Sequence, residues 1–350
     1  MKFCFIVAQT ERGMYAADLH LIRGFRELGH EVIVIETNPL AGLKKYASLA
    51  QSFLRGKRGA DAVFIGYTLP HFVALIRVLT SKRVIFNAVC SQYESAVISR
   101  SLFRPVSFGG IKVFLIDFLS FHAAAKVLLE SSSQIKYIHS FFLVPRRKLV
   151  LARIGADEHV FFRDASVHTL PQFTVLFRGK FLPESGINTI IRAAKLLENE
   201  GVHFLIIGHG FLYKEVHTLL DELDPSNVEM IWETLPADVL REKMLGCSLM
   251  LGQLADHPRL ERTIPFKAYE SLALGLPYLT ARNKAVLEIL VEDTTCFVVE
   301  PADPKRLAEK IIFLKSNPTL LSRVAEQGHS FFKQYLSAKV LAERCLAECF

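Results

Sequence analysis

The chain has no Cys-x-x-Cys pair. Its six cysteines, Cys4, Cys90, Cys247, Cys296, Cys345 and Cys349, are spread thinly, and no His cluster adjoins the two that share a helical face, Cys345 and Cys349. Zinc ligation by closely spaced Cys and His is therefore not expected. Reduced thiols and a cytoplasmic location are. No apolar run reaches the roughly 20 residues of a membrane-spanning helix. The nearest, 111–129, is broken by Lys112, Asp117, His122 and Lys126. It reads as a buried helix, with peripheral membrane contact left open. Residues 1–7 are too short for a signal-peptide core. Cations and aromatics do not interleave as they do in RNA-binding modules, so no nucleic-acid partner is expected.

What is present is apolar and basic. At 51% hydrophobic over 350 residues, the chain has the material for two cores. The net charge of +7 suits phosphates or anionic lipid, and equally suits plain solubility. An apolar strand at 3–8, a polar turn at 9–13 and a helix with Leu19, Ile22, Phe25 and Leu28 on one face open the chain. A β-branched strand follows at 31–36, giving a βαβ unit with parallel strands. The rhythm continues with strands at 62–66, 83–86 and 126–129, a short helix at 71–79 and a Ser131-Ser-Ser133 cap, and 149–154 closes the first half. Residues 156–171 lose periodicity and read as a connection. The alternation then restarts at 173–177 and runs to 299, with helices from 304 onward. The class is α/β: two doubly wound Rossmann-like domains. We place an amino-terminal domain at 1–160, a second at 170–330, and a terminal helix at 331–350 packing back on the first. In such sheets ligands bind outside the carboxyl ends of the strands, so a cleft between two facing domains is the expected site.

The most informative stretch is Thr263-Ile-Pro-Phe-Lys-Ala-Tyr-Glu-Ser-Leu-Ala-Leu-Gly-Leu-Pro277. Pro suits a helix start, and Lys267 and Glu270 stand one turn apart. The amino end of a helix can receive an anion, and a carboxylate one turn in can accept hydrogen bonds from sugar hydroxyls.

Three segments resemble, in order, the motifs of retaining glycosyltransferases of the GT-B architecture, closest to family 4. Arg178-Gly-Lys-Phe-Leu-Pro-Glu-Ser-Gly186 resembles that family's Gly-Arg-Leu-x-x-x-Lys-Gly loop. Ile207-Gly-His-Gly210 is similar to its Val-Gly-x-Gly loop, and Glu270-Ser-Leu-Ala-Leu-Gly-Leu-Pro-Tyr278 to its Glu-Ala-x-Ala-x-Gly-x-Pro-Val helix. In the first half, Gly13 falls at the family's glycine-rich first loop, and Gly29-His-Glu-Val32 matches its strand entry. The resemblance implies a GT-B fold and sugar transfer with retention from a nucleoside-diphosphate donor to an acceptor hydroxyl, in cell-surface glycan synthesis.

Carried over by position, Lys180 stands where the family places an Arg on the donor diphosphate, and Glu270 where it places the ribose carboxylate. Two positions depart. The family's second cation is Ser185 here, and the first Glu of its pair, eight residues before Glu270, is Arg262. Lys267, Arg262 or Arg259 could replace the lost charge, Lys267 first because it adjoins the helix start. The family's His after an inner strand is absent at Asn87-Ala-Val-Cys-Ser91, and His71 is the substitute, with Asn87, Ser91 and Tyr93 as other acceptor contacts. Glu11 and Arg12 could also meet the acceptor. The expected catalytic set is Lys180, Lys267 and His71. The expected donor-binding set is Gly13, Gly179, Gly208, Gly210, Arg262, Ile264, Pro265, Phe266 and Glu270. Without an Asp-x-Asp triplet near a strand end no metal is expected, and no cofactor beyond the nucleotide-sugar co-substrate. Expected partners are that donor and a glycan or lipid-linked acceptor; the expected location is cytoplasmic, extending to the inner face of a membrane. Two alternatives remain: a non-catalytic nucleotide-sugar-binding protein, motivated by the two missing residues, and a sugar-nucleotide epimerase of the same fold.

Overall fold

The structure, a computed structural model, describes the chain except residues 11–12, 15, 38–41 and 57–58, and describes residues 9, 10, 13 and 14 by backbone alone. The expectations for Glu11 and Arg12 lie outside the described residues. Compact units form from Met1–Asp157 with Leu336–Phe350, and from Glu158–Tyr335.

The first unit runs β1 (Lys2–Thr10), β2 (Gly13–Met14), α1 (Ala16–Glu27), β3 (Glu31–Thr37), α2 (Gly42–Gly56) and β4 (Ala62–Ile65). It continues with α3 (Pro70–Leu79), β5 (Arg83–Val89), α4 (Phe108–Ala123), β6 (Lys126–Leu129), α5 (Ser132–Phe141) and β7 (Leu149–Leu151). The second unit runs β8 (Phe173–Arg178), α6 (Ile187–Leu196), β9 (Val202–Ile207), α7 (Tyr213–Leu223), β10 (Val228–Ile231), α8 (Ala237–Leu245) and β11 (Leu249–Leu251). It is completed by α9 (Phe266–Leu274), β12 (Tyr278–Ala281), α10 (Lys284–Leu287), β13 (Phe297–Val299), α11 (Pro304–Lys315) and α12 (Pro318–Tyr335). The last helix, α13 (Ala338–Cys349), belongs to the first unit.

In the first sheet, β3, β1, β4, β5, β6 and β7 lie side by side and parallel, and β2 folds back antiparallel on the end of β1. The second sheet is parallel throughout, in the order β10-β9-β8-β11-β12-β13. Strands covered on both faces read as unbroken apolar runs rather than alternating ones, which is why β4 and β11 are buried at every position. On one face of the first sheet, Phe3, Phe5 and Phe64 pack with Phe25 of α1 and with Cys345 and Cys349 of α13. Val175, Phe177, Phe204 and Ile206 form the matching layer of the second sheet, under α6, α7 and α11.

Several helix starts follow from local chemistry. Ser131 accepts from Gln134 N at 2.8 Å and caps α5 as expected. Ser107 does the same for α4 through Gly110 N at 3.2 Å, a cap the sequence reading did not name. Pro265 stands just outside α9 as its cap instead of opening it. The run 111–129, read as a buried helix, is helical only to Ala123, and the strand expected at 126–129 follows. One face of that helix is exposed.

Candidate functional site

Both sheets wind outward from their first strand, so each has a point where successive crossovers diverge. In the second unit it lies between β8 and β11, and polar side chains converge there outside the carboxyl ends of the strands. Arg178 is the last residue of β8, Gln253 stands two residues beyond β11, and α9 brings Lys267 and Glu270 on one turn. An Arg178 guanidinium N–H donates to a Glu270 carboxylate oxygen. The Lys267 ammonium donates to Gln253 Oε1 at 3.2 Å and lies 3.7 Å from the centre of the Phe177 ring. Thr263, just before the helix, buries its hydroxyl with no protein partner.

Lys267 and Glu270 are both buried, and Arg178 is only partly exposed. Three charges in poor contact with water repel and attract strongly. Burial pushes the Lys267 ammonium down from its ordinary 10.5 to about 7, and the positive charge of Arg178 adds to the effect. Glu270 and Glu184 oppose it. Lys267 therefore changes charge near neutrality, and an arriving anion would favour its protonated form.

The two glycine loops are built against each other. Gly179 N donates to Ile207 O at 2.9 Å and Phe181 N to His209 O at 3.0 Å. A Cβ on Gly208 would stand 1.9 Å from Gly179 O, and one on Gly210 would stand 2.8 Å from Phe181 N. Their φ of 153° and 157° also suit only glycine. Loop-on-loop packing alone thus accounts for both glycines. Gly179 adjoins Lys267, whose Nζ would be 3.2 Å from a Cβ there.

Lys180 is exposed on the same loop. Ser185 is wholly buried, its Oγ accepting from Ile187 N at 3.3 Å, so no cation reaches the site from that position. Arg259 is committed to a buried ion pair with Glu184 at 2.8 Å. Ile264 is buried ahead of α9, and Arg262 and Phe266 are partly exposed. In the first unit Gly13 pairs with Thr10 in the turn after β1. His71 lies in the first turn of α3 against the rings of Tyr46 and Phe72, and burial lowers it from 6.5 to about 4, helped by Lys45. At the divergence of the first sheet, between β1 and β4, Asp18 is buried and accepts from Tyr67 N at 3.0 Å and Asn87 Nδ2 at 2.8 Å. Its burial raises the carboxyl from 3.8 to about 7.

The structure gathers Lys267, Glu270, Gly179 and the approach through Pro265. Sequence reasoning missed Arg178, Gln253 and Thr263. An Arg closing an otherwise apolar strand at 173–178 was the available signal for the first. Nothing comparable marked Gln253 or Thr263. No cluster of metal-ligating side chains occurs among the described residues.

This is the architecture of a GT-B protein: two α/β units with parallel sheets. The structure of Alr3699/HepE from Anabaena, solved with UDP and glucose, superimposes with a TM-score of 0.76, at 14% identity over 99% of this chain and 98% of that one. Residues 161–331 match the family model described as Glycosyl transferases group 1. An uncharacterized glycosyltransferase of Methanocaldococcus jannaschii, MJ1178, is 27% identical over 160 residues, 46% of this chain and 43% of that protein. The putative colanic acid biosynthesis glycosyltransferase WcaL of Escherichia coli is 20% identical over 206 residues, 57% of this chain and 51% of its own length. The match spans about half of each of these relatives. The family model and both of these relatives bear the name of glycosyltransferases.

Proposed function

We propose that this protein transfers a sugar from a nucleoside-diphosphate donor to an acceptor hydroxyl, with retention, in the synthesis of a surface glycan. The observation that carries this is the Arg178–Lys267–Glu270 group, its Lys and Glu buried and its Arg partly exposed, where the second sheet diverges, at the amino end of α9. A buried cation whose proton is held loosely is costly unless an anion arrives to share the site. The donor pyrophosphate supplies that anion. Lys267 and the amide dipoles of α9 would offset the charge that develops on the leaving diphosphate, with Lys180 reaching in from the exposed loop. Glu270, held by Arg178, would accept from the ribose hydroxyls.

Retention needs no protein nucleophile in this scheme. The departing phosphate oxygen takes the acceptor proton while the oxocarbenium-like sugar is attacked on the face it leaves. His71, neutral at pH 7, can hydrogen-bond a hydroxyl without adding charge. The donor is a co-substrate and the scheme calls on no resident cofactor or metal. The Anabaena relative's UDP and the colanic-acid name of the E. coli one favour a uridine donor and a glycan or lipid-linked acceptor. The cationic first unit favours work at the inner face of a membrane.

Calorimetry with UDP, GDP, ADP and their glucose esters tests the site. Glu270→Gln and Lys267→Met should each weaken the preferred nucleotide by roughly ten- to a hundredfold, the range for a hydrogen bond to a charged group. Unchanged affinity in both would refute the assignment. The buried Ser185 favours one second reading, a protein that binds the donor without transferring it. Tight binding with no turnover across donors would establish that instead.

A further inference from the structure

We propose that the outward face of α4 and the segments at its two ends form a docking surface for an anionic lipid bilayer. This deepens the membrane part of the reading above and does not depend on the transferase part. The helix is apolar on its outward side as well as toward the core. Its inner side, with Gly110, Asp117, Ser120 and Phe121, is buried. On the opposite side Phe108, Ile111, Leu115 and Leu119 are 87%, 49%, 49% and 57% exposed. At about 100° per residue these four and Lys112 fall within one arc of roughly a third of the circumference, some 16 Å long. Lys112 is the one charge on it. The preceding loop extends the surface, because Phe103 lies against Gly109, where a Cβ would meet its ring at 2.2 Å, and Val106 is 87% exposed. A continuous apolar face of this kind is held in water only at a cost unless something covers it.

Charge selects the occupant. Residues 62–156 carry twelve Lys and Arg against three carboxylates, Glu94, Asp117 and Glu130. All three are buried, so this stretch presents no acidic side chain to solvent. The cations sit at the ends of the arc. Arg104 is exposed before α4. At the other end Lys148 Nζ donates to His122 O at 2.5 Å, which brings the exposed Arg146 and Arg147 to the last turn of the helix. An apolar strip bordered by cations of one sign, with its long side chains free to reach a headgroup plane, is the pattern of a helix lying in a membrane interface. No described helix is long and apolar enough to cross a membrane.

The test is co-sedimentation of the full chain with vesicles of phosphatidylcholine alone and with one-third phosphatidylglycerol, at low and high salt. The expected result is partition onto the anionic vesicles that falls steeply with salt. Phe108→Ser with Leu115→Ser, both at exposed positions, should reduce it on the order of tenfold or more, and so should Arg146→Gln with Arg147→Gln, by the worth of two surface cations. The second pair should also flatten the salt dependence. Far-ultraviolet dichroism and melting of each variant exclude misfolding as the cause. Equal partition onto both vesicle types, or none, overturns the inference, as does binding that neither double variant weakens. Self-association in sedimentation velocity that Phe108→Ser with Leu115→Ser abolishes, without vesicle binding, would assign the face to a second copy instead. Nucleotide calorimetry on the same samples separates the two readings, since its failure leaves the vesicle result standing.

Discussion

At the scale of single residues the molecule turns on Lys267. Its folded pKa of about 7 lies below the 10.5 of a free lysine, so between these values the unfolded chain binds more protons than the folded one. Stability attributable to this residue therefore rises as pH climbs from about 7 toward 10.5, and is lost below 7. Donor binding runs the other way, because a diphosphate favours the protonated ammonium. We expect nucleoside-diphosphate affinity to weaken by up to about tenfold per unit above pH 7, with proton uptake seen as a buffer-dependent binding enthalpy. Lys267→Met should remove both the extra weakening above pH 7 and the rise in stability, leaving the ionisation of the phosphate itself near pH 6 common to both proteins. Identical pH profiles for the two in calorimetry and urea denaturation would take Lys267 out of the site. Glu270 shows where residue-level reading stopped short. Its place on α9 was legible from the Lys-x-x-Glu spacing, but its pairing with Arg178 joins residues 92 apart in sequence, and spacing carries no such information.

At the scale of elements the alternation of apolar runs with helical patterns fixed most of the architecture in advance, because buried parallel strands must be apolar throughout. Strands 62–66 and 126–129 and the helix 71–79 stand within one residue of where the pattern put them. Helix α2 was not anticipated. Its apolar contrast was there to be read, since Tyr46, Leu49 and Phe53 recur at helical spacing and the last two are buried. Helix α4, expected buried, is the opposite case: it is apolar on every side, and hydropathy without contrast cannot tell which side meets the core. The Gly-x-Gly loop is the converse case, a motif legible as sequence whose first duty is structural. Gly208→Ala should cost about 2 kcal/mol or more in urea denaturation, since its Cβ would overlap Gly179 O at a φ closed to alanine. Gly246→Ala is the control. It caps α8 in ordinary helical geometry with no atom nearer than 3.5 Å to the added carbon, and should change stability by well under 1 kcal/mol. Equal effects would mean that the β8 and β9 loops are not locked together.

At the scale of the whole molecule the chain makes the first unit, then the second, and returns to finish the first. Each unit has a glycine where a late helix comes to rest. A Cβ on Gly24 of α1 would lie 2.1 Å from Ala338 O and 2.6 Å from Ala342 Cβ, both on α13. One on Gly328 of α12 would lie 2.6 Å from Leu272 Cδ2 on α9, where His329 Nδ1 also donates to Leu272 O at 3.1 Å. Glycine within a helix costs about 1 kcal/mol against alanine, so its presence at both closures answers to the approach of the partner helix. Gly24→Val should pry α13 from α1 and uncover Phe25 and Leu21, raising amide exchange across β1, α1 and α13 while β8–β13 stay protected. Gly328→Val should do the reverse, loosening α9 and with it Lys267 and Glu270. Exchange measured by mass spectrometry over both variants resolves the units separately. If either valine raised exchange equally through both sheets, the two units would unfold as one, and the return of the chain would be the link that couples them.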